Sequence, residues 1–172
     1  GTGFGGSCFP KDVRALAQMM REHGCSADMI DSIEAINERQ KLSIIPKARK
    51  LVPDLNGKKI AVWGLSFKPK TNDMREAPSL TIIGELHKLG AVISAFDPVA
   101  EHSARKVLQN VEFAETPLGA LEGAHLLIIV TEWDLFRELD KGRMKELMAA
   151  PNIIDGRNMY DPSDFKELGF NY

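Results

Sequence analysis

The sequence holds only two cysteines, Cys8 and Cys25, and they form no C-x-x-C pair. That excludes a disulfide framework and a thiolate zinc site, and it fits a reducing, cytosolic (cytoplasmic) setting. The four histidines, His23, His87, His102 and His125, are scattered without the spacing of metal ligands. No run is apolar enough to cross a bilayer: the most apolar stretch, Ala124 to Val130, falls far short of the ~20 residues a spanning helix needs. It reads as a buried strand. No basic segment leading into an apolar one opens the chain, so no secretory leader is read here. Neither sign of charge dominates, with 22 Lys+Arg against 24 Asp+Glu for a net charge of −2. Nucleic acid and membrane lipid are therefore not indicated as partners.

What is present is ordinary globular composition, 44% hydrophobic and 27% charged over 172 residues, enough for one sizeable domain or a smaller domain with a helical appendage. Residues 1 to about 52 read as helical. Val13, Leu16, Ala17 and Met20 recur at helical steps between Lys11 and Glu22, and Gly24 supplies a stop. A second helical stretch, Asp28 to Leu51, carries Ile30, Ile33, Ile36, Ile44, Ala48 and Leu51 roughly on one stripe, with Pro46 set to kink or restart it. That stripe predicts self-association, a homodimer through the long helix. Met19, Met20, Met144 and Met148 sit at helical spacings and read as core.

After the loop at residues 53 to 57 the pattern changes. Short apolar runs at 59–64, 91–96, 111–113, 125–130 and 152–155 alternate with helical stretches near 79–89, 100–108, 116–121 and 141–149. Such alternation predicts an α/β fold: an open, mainly parallel Rossmann-like sheet over residues 58–172 with helices on both faces, joined by right-handed crossovers.

The opening Gly1-Thr2-Gly3-Phe4-Gly5-Gly6 spells a dinucleotide fingerprint, G-x-G-x-x-G. The spelling is coincidental, because no strand precedes it and helices follow before any strand. The first strand of the sheet turns instead at Gly64, without the further glycines, so Asp97 at the end of the second strand reads as the cap of the Pro98 turn.

The glycines lead into Cys8, with Pro10 suited to a first helical turn and Asp12 to its positive end. A thiol at a helix start beside Lys11 is favoured as thiolate. Asp12, four residues on, shares its side of the helix, which together makes a constellation for covalent catalysis. On these residues alone Cys8 also reads as a small buried hydrophobe beneath a loop. Cys25, with no basic partner, keeps only that second reading.

The segment "GFGGSCFPKD" resembles the active-site segment of the UDP-glucose 6-dehydrogenase family, within the nucleotide-sugar dehydrogenases. "INERQ" (36–40), "VWGLSFKPKTNDMREAPS" (62–79), "FDP" (96–98), "TEW" (131–133) and "IIDGRN" (153–158) are similar to further family segments in order along the chain. The resemblance implies a two-step oxidation of UDP-glucose to UDP-glucuronate with NAD as cofactor. It implies Cys8 as nucleophile, Asp12 as the acid that helps activate water, and Lys11 and Arg75 as NAD contacts. Gly1, Gly5, Phe9, Phe67, Lys68 and Arg157 fall at substrate-binding positions, Phe9 leaning toward the glucosyl enzyme. It further implies a central helical segment (1–52) followed by a UDP-sugar-binding domain (58–172). The family's NAD-binding domain and its catalytic Lys and Asn precede the matched part, so the sequence is expected to be a C-terminal fragment, inactive or nearly so alone. GDP-mannose and UDP-N-acetylhexosamine dehydrogenases, or a non-catalytic nucleotide-binding dimerisation module, stand as alternatives.

Overall fold

The computed structural model describes all 172 residues. Three helices lead. α1 (Phe9–Glu22) takes Pro10 in its first turn, where a missing N–H costs nothing, and buries Pro10, Val13 and Ala17. α2 (Asp28–Leu42) and α3 (Ile44–Leu51) are separate helices parted at Ser43. Pro46 explains the break: its ring would crowd the carbonyl of Leu42, four residues back, so α2 ends there and Pro46 falls in the first turn of α3.

The apolar stripe expected along one long helix therefore divides. Ile44 and Ala48 of α3 are buried in the core, whereas Ile36 of α2 stays exposed and α2 buries Asn37 and Lys41 instead. Met144 and Met148 are buried as expected, but Met19 is exposed, because the inner face of α1 is the Val13–Ala17 line and Met19 lies off it. Cys25 is likewise exposed, in the loop after α1, and not the buried hydrophobe that was expected.

Five strands form the sheet: β1 (Lys59–Trp63), β2 (Val92–Phe96), β3 (Val111–Phe113), β4 (Leu126–Ile129) and β5 (Ile153–Asp155). All pair in parallel in the order β3-β2-β1-β4-β5, with Ile60 opposite both Ile93 and Leu126. The intervening helices are α4 (Pro78–Lys88), α5 (Glu101–Ala104), α6 (Pro117–Leu121), α7 (Lys141–Leu147) and α8 (Pro162–Glu167), with a 3₁₀ segment at Asp134–Glu138.

Strand alternation sorts the core into two layers. Ile60, Val62, Ile93, Ala95, Leu126 and Ile128 face α3 and α4 in one. Ala61, Trp63, Leu127, Ile129, Phe136 and Phe165 form the other. All four residues of β4 are fully buried, each contributing on the order of 1.5–3 kcal/mol as an upper bound. No helix is long and apolar enough to cross a membrane.

Candidate active site

Parallel open sheets present ligands at the carboxyl ends of their strands, beside the point where strand order reverses. Here that point lies between β1 and β4, and it is filled by the protein itself. Gly64, at φ +81°, sits so close to Thr131 that an added Cβ would lie 2.4 Å from the threonine Cβ. The Thr131 hydroxyl donates to the Ser66 carbonyl at 2.5 Å.

Asp97 occupies the place where a pyrophosphate would need free amides. One carboxylate oxygen accepts from the N–H of Leu65 (2.7 Å) and Ser66 (3.2 Å) and from the Trp133 indole (3.2 Å). The other caps the turn after Pro98, accepting from Val99 and Ala100. Its expected capping role follows from those bonds. Trp133 is buried.

The glycine-rich opening runs along this same edge. At one end, a Cβ on Gly156 after β5 would lie 2.3 Å from the Thr2 side chain, and a Cβ on Gly1 would lie 3.5 Å from the Arg157 guanidinium. At the other end, Gly6 donates its N–H to the Arg75 carbonyl at 2.8 Å. Gly6 packs under the Phe67 ring, and Gly5 lies against the Glu76 carbonyl so tightly that a Cβ would come within 2.3 Å. Asn37 of α2 pins the middle: its side chain accepts from the Phe4 N–H at 2.8 Å and donates to the Phe4 carbonyl at 3.1 Å.

This path delivers Cys8 to the head of α1, exposed, its sulfur 3.7 Å from the Ser7 hydroxyl. The buried-hydrophobe reading of Cys8 is thereby overturned. The carbonyl of Cys8 accepts the Asp12 N–H at 2.8 Å, and the exposed Asp12 carboxylate lies 3.4 Å from Lys11. Phe9 is exposed and packs against Phe4, centroids 4.6 Å apart.

Arg75 is gripped by Asp73, at 2.9 and 2.8 Å, and left otherwise open to solvent. Those hydrogen bonds hold its guanidinium more firmly protonated than usual, with Cys8 near enough to add a smaller push. Lys68 is exposed, its ammonium 5.5 Å from the Phe67 centroid. Arg157 is engaged in a two-pronged pair with Glu132, at 2.5 and 2.6 Å.

A cleft of about 730 Å³ opens beside the head of α1. It gathers Lys11 and Arg75 with Gly6, Arg14, Lys41 and Glu76. Gly1 lines a second, more apolar cleft of about 460 Å³ with Phe4, Ile33 and Ile36. Cys8, Asp12, Phe9, Phe67, Lys68 and Arg157 lie outside both. Sequence reading did not find Asn37, Arg14, Glu76 or Glu132, whose partners lie far away in the chain.

An open parallel sheet of this strand order defines a Rossmann-like domain, with a cysteine-bearing arm laid along its carboxyl edge. The family model described as "UDP-glucose/GDP-mannose dehydrogenase family, UDP binding domain" matches residues 61–162, and that family's central domain matches residues 1–39. The chain belongs to the UDP-glucose/GDP-mannose dehydrogenase family.

It is similar to the UDP-glucose 6-dehydrogenase of Rhizobium meliloti, 38% identical over 176 residues, all of this chain and 40% of that protein. It is similar also to that of Pseudomonas aeruginosa, 41% identical over 179 residues with the same coverage. A solved UDP-glucose dehydrogenase from Pyrobaculum islandicum superposes with a TM-score of 0.82 at 32% identity, over 91% of this chain and 35% of that one. The chain thus spans about two fifths of the length of the curated relatives it matches.

Proposed function

We propose that residues 1–52 and 58–172 are the cysteine-bearing central segment and the UDP-sugar-binding domain of an NAD-dependent UDP-glucose 6-dehydrogenase. The observation that carries this reading is the exposure of Cys8 at the head of α1 with the segment before it laid along the ligand edge of the sheet.

NAD⁺, when bound, supplies the hydride acceptor for each of two oxidations at the sugar C6. The β1 turn does not fit a dinucleotide, because Asp97 already holds its amides. The open cations Lys11 and Arg75 fit a phosphate or amide oxygen at the cleft, and they are this chain's share of the contact. The main dinucleotide seat then belongs to a part of the longer relatives that this chain does not match.

The Cys8 sulfur adds to the C6 aldehyde carbon and forms a C–S bond. After the second oxidation the adduct is a thioester. Water attacks the acyl carbon, the C–S bond breaks, and the sulfur departs as thiolate while a carboxylate remains. Asp12, one turn along α1, takes the proton from the water. Phe67, Lys68, Gly5, Phe9, Arg157 and Gly1 border the sugar nucleotide. The enzyme works in the cytoplasm. It pairs as a homodimer through α2, whose Met29 and Ile36 are exposed apolar residues.

Thermal unfolding in the presence of UDP-glucose, UDP or GDP tests the reading. A ligand at 100 times its Kd stabilises by about 2.7 kcal/mol. UDP-glucose and UDP are expected to raise the midpoint. A preference for GDP, or no response to any of the three, overturns the assignment. With the dinucleotide seat elsewhere, this chain alone is expected to form no NADH from UDP-glucose.

A further inference from the structure

We propose that Glu76, held by Arg14, is a positioning residue that sets the loop carrying Arg75 against the segment carrying Cys8. Two contacts converge on it and a third on its neighbour Arg75. Arg14 of α1 presents a fork to the Glu76 carboxylate, at 2.8 and 3.2 Å. The Glu76 carbonyl lies on Gly5, where no side chain would fit. The Arg75 carbonyl receives the Gly6 N–H at 2.8 Å.

The backbone at Glu76 is left-handed, φ +55°, a conformation that disfavours any residue with a Cβ and persists only where surroundings impose it. The left-handed turn is what aims the carbonyl at Gly5 and the carboxylate at Arg14 together. Arg14 also donates to Glu34 of α2 at 2.5 Å, so one guanidinium ties α1, α2 and the loop after β1. The Arg14 hydrogen bond is the main reason the Glu76 carboxyl titrates below its usual range, with Lys41 assisting.

Arg14, Glu34 and Glu76 are each between a third and a half exposed. Ion pairs this open add little to global stability. What such a fork does supply is geometry, since a planar guanidinium on a carboxylate fixes two side chains in register. The register fixed here is that of residues 5–6 against residues 75–76, the segment that leads to Cys8 against the loop that carries Arg75. The inference deepens the function proposed above, and only its consequence for turnover rests on that reading.

The test uses the chain in a Cys25→Ser background, comparing rate constants for Cys8 alkylation by anionic iodoacetate and neutral iodoacetamide near pH 7. A nearby Arg75 favours the anion, so the wild-type ratio is expected to exceed that of free cysteine. Glu76→Gln and Arg14→Gln are each expected to lower the ratio by about threefold, the size an open charge pair allows, with little change in thermal midpoint. The exchanged pair Arg14→Glu with Glu76→Arg should recover part of it.

If Glu76 acted only as a local negative charge, Glu76→Gln would raise the ratio; a rise, no change, or a wild-type ratio no greater than that of free cysteine overturns the proposal. Glu76→Gln is the decisive variant, because loss of its charge alone moves the ratio the other way; should it fail to fold, Glu76→Asn, suited to the left-handed backbone, takes its place with the same expected fall. Failure of the dehydrogenase reading shows separately, as loss of the UDP-glucose response with this alkylation pattern intact.

Discussion

Asn37 and Phe4, 33 residues apart in sequence, exchange two hydrogen bonds that join the glycine-rich opening to α2. The asparagine is the acceptor for the Phe4 N–H and the donor to its carbonyl, so one side chain imitates a neighbouring strand. Both polar groups of the Phe4 backbone depend on it.

Replacing Asn37 by leucine is therefore expected to destabilise the chain by about 1–3 kcal/mol, the cost of leaving buried backbone groups unpaired. Urea unfolding reads the loss. Asn37→Asp keeps an acceptor for the N–H but offers the carbonyl no donor, and is expected to fall between the two.

Gly5 and Gly84 make a contrasting pair. A Cβ at Gly5 would meet the Glu76 backbone at 2.3 Å, whereas a Cβ at Gly84, inside α4, meets nothing within 4 Å. Gly5→Ala is expected to cost about 1–3 kcal/mol, because backbone must move against backbone. Gly84→Ala is expected to stabilise by up to about 1 kcal/mol through helix propensity. Thermal midpoints of the two variants should move in opposite directions.

Asp97 is the acceptor for five backbone or side-chain N–H groups around the β1 turn. Its removal strands several buried donors at once. Asp97→Ala is expected to cost at least about 3 kcal/mol, with Asp97→Asn milder because it retains one acceptor oxygen. Denaturant unfolding distinguishes the two.

Burial pushes the Glu132 carboxyl up, yet the two-pronged Arg157 pair, a hydrogen bond from its own backbone N–H and the charge of Arg137 together outweigh it, and the group titrates below its ordinary range. A folded-state pKa lowered in this way contributes stability above the unfolded value, about 4.3 for glutamate. That contribution is lost as pH falls below this point and through the lowered folded value. Glu132→Gln is expected to flatten the acid limb of the stability profile. A limb as steep as wild type would place the Arg157 partner elsewhere.

Much of the fold was legible because punctuation and period agreed. Pro78 and Pro117 open α4 and α6, Thr116 caps the latter through its side chain, and the fully buried β4 is a bare apolar run. The 3₁₀ segment at Asp134–Glu138 and helix α8 were missed because each spans only about a turn and a half, too short for periodicity to show. A signal for α8 did exist: Asp161 before Pro162 and Ser163 is a cap with proline behind it, and the Asp161 side chain accepts the Ser163 N–H. The helix break was foreseen at Pro46 but falls at Ser43, since a proline disrupts the turn before it.

At the site, the head of α1 was legible locally, since Pro10 and Asp12 mark a helix start within a few residues of Cys8. The partners of that head were not. Arg14 meets Glu76 across 62 residues, and Arg157 meets Glu132 across 25, distances at which no local pattern carries information. Met19 and Cys25 show the converse error: residue type suggested burial where the helix face and the loop do not provide it.

Cys8 and Cys25 are both exposed, so each serves as the control for the other in one experiment. Alkylation by iodoacetamide, followed by mass mapping of the two cysteine peptides, should show UDP-glucose slowing modification of Cys8 while Cys25 reacts at an unchanged rate. Equal rates at Cys8 with and without UDP-glucose, or protection by GDP-mannose in its place, would contradict the assignment of Cys8 to a UDP-glucose site.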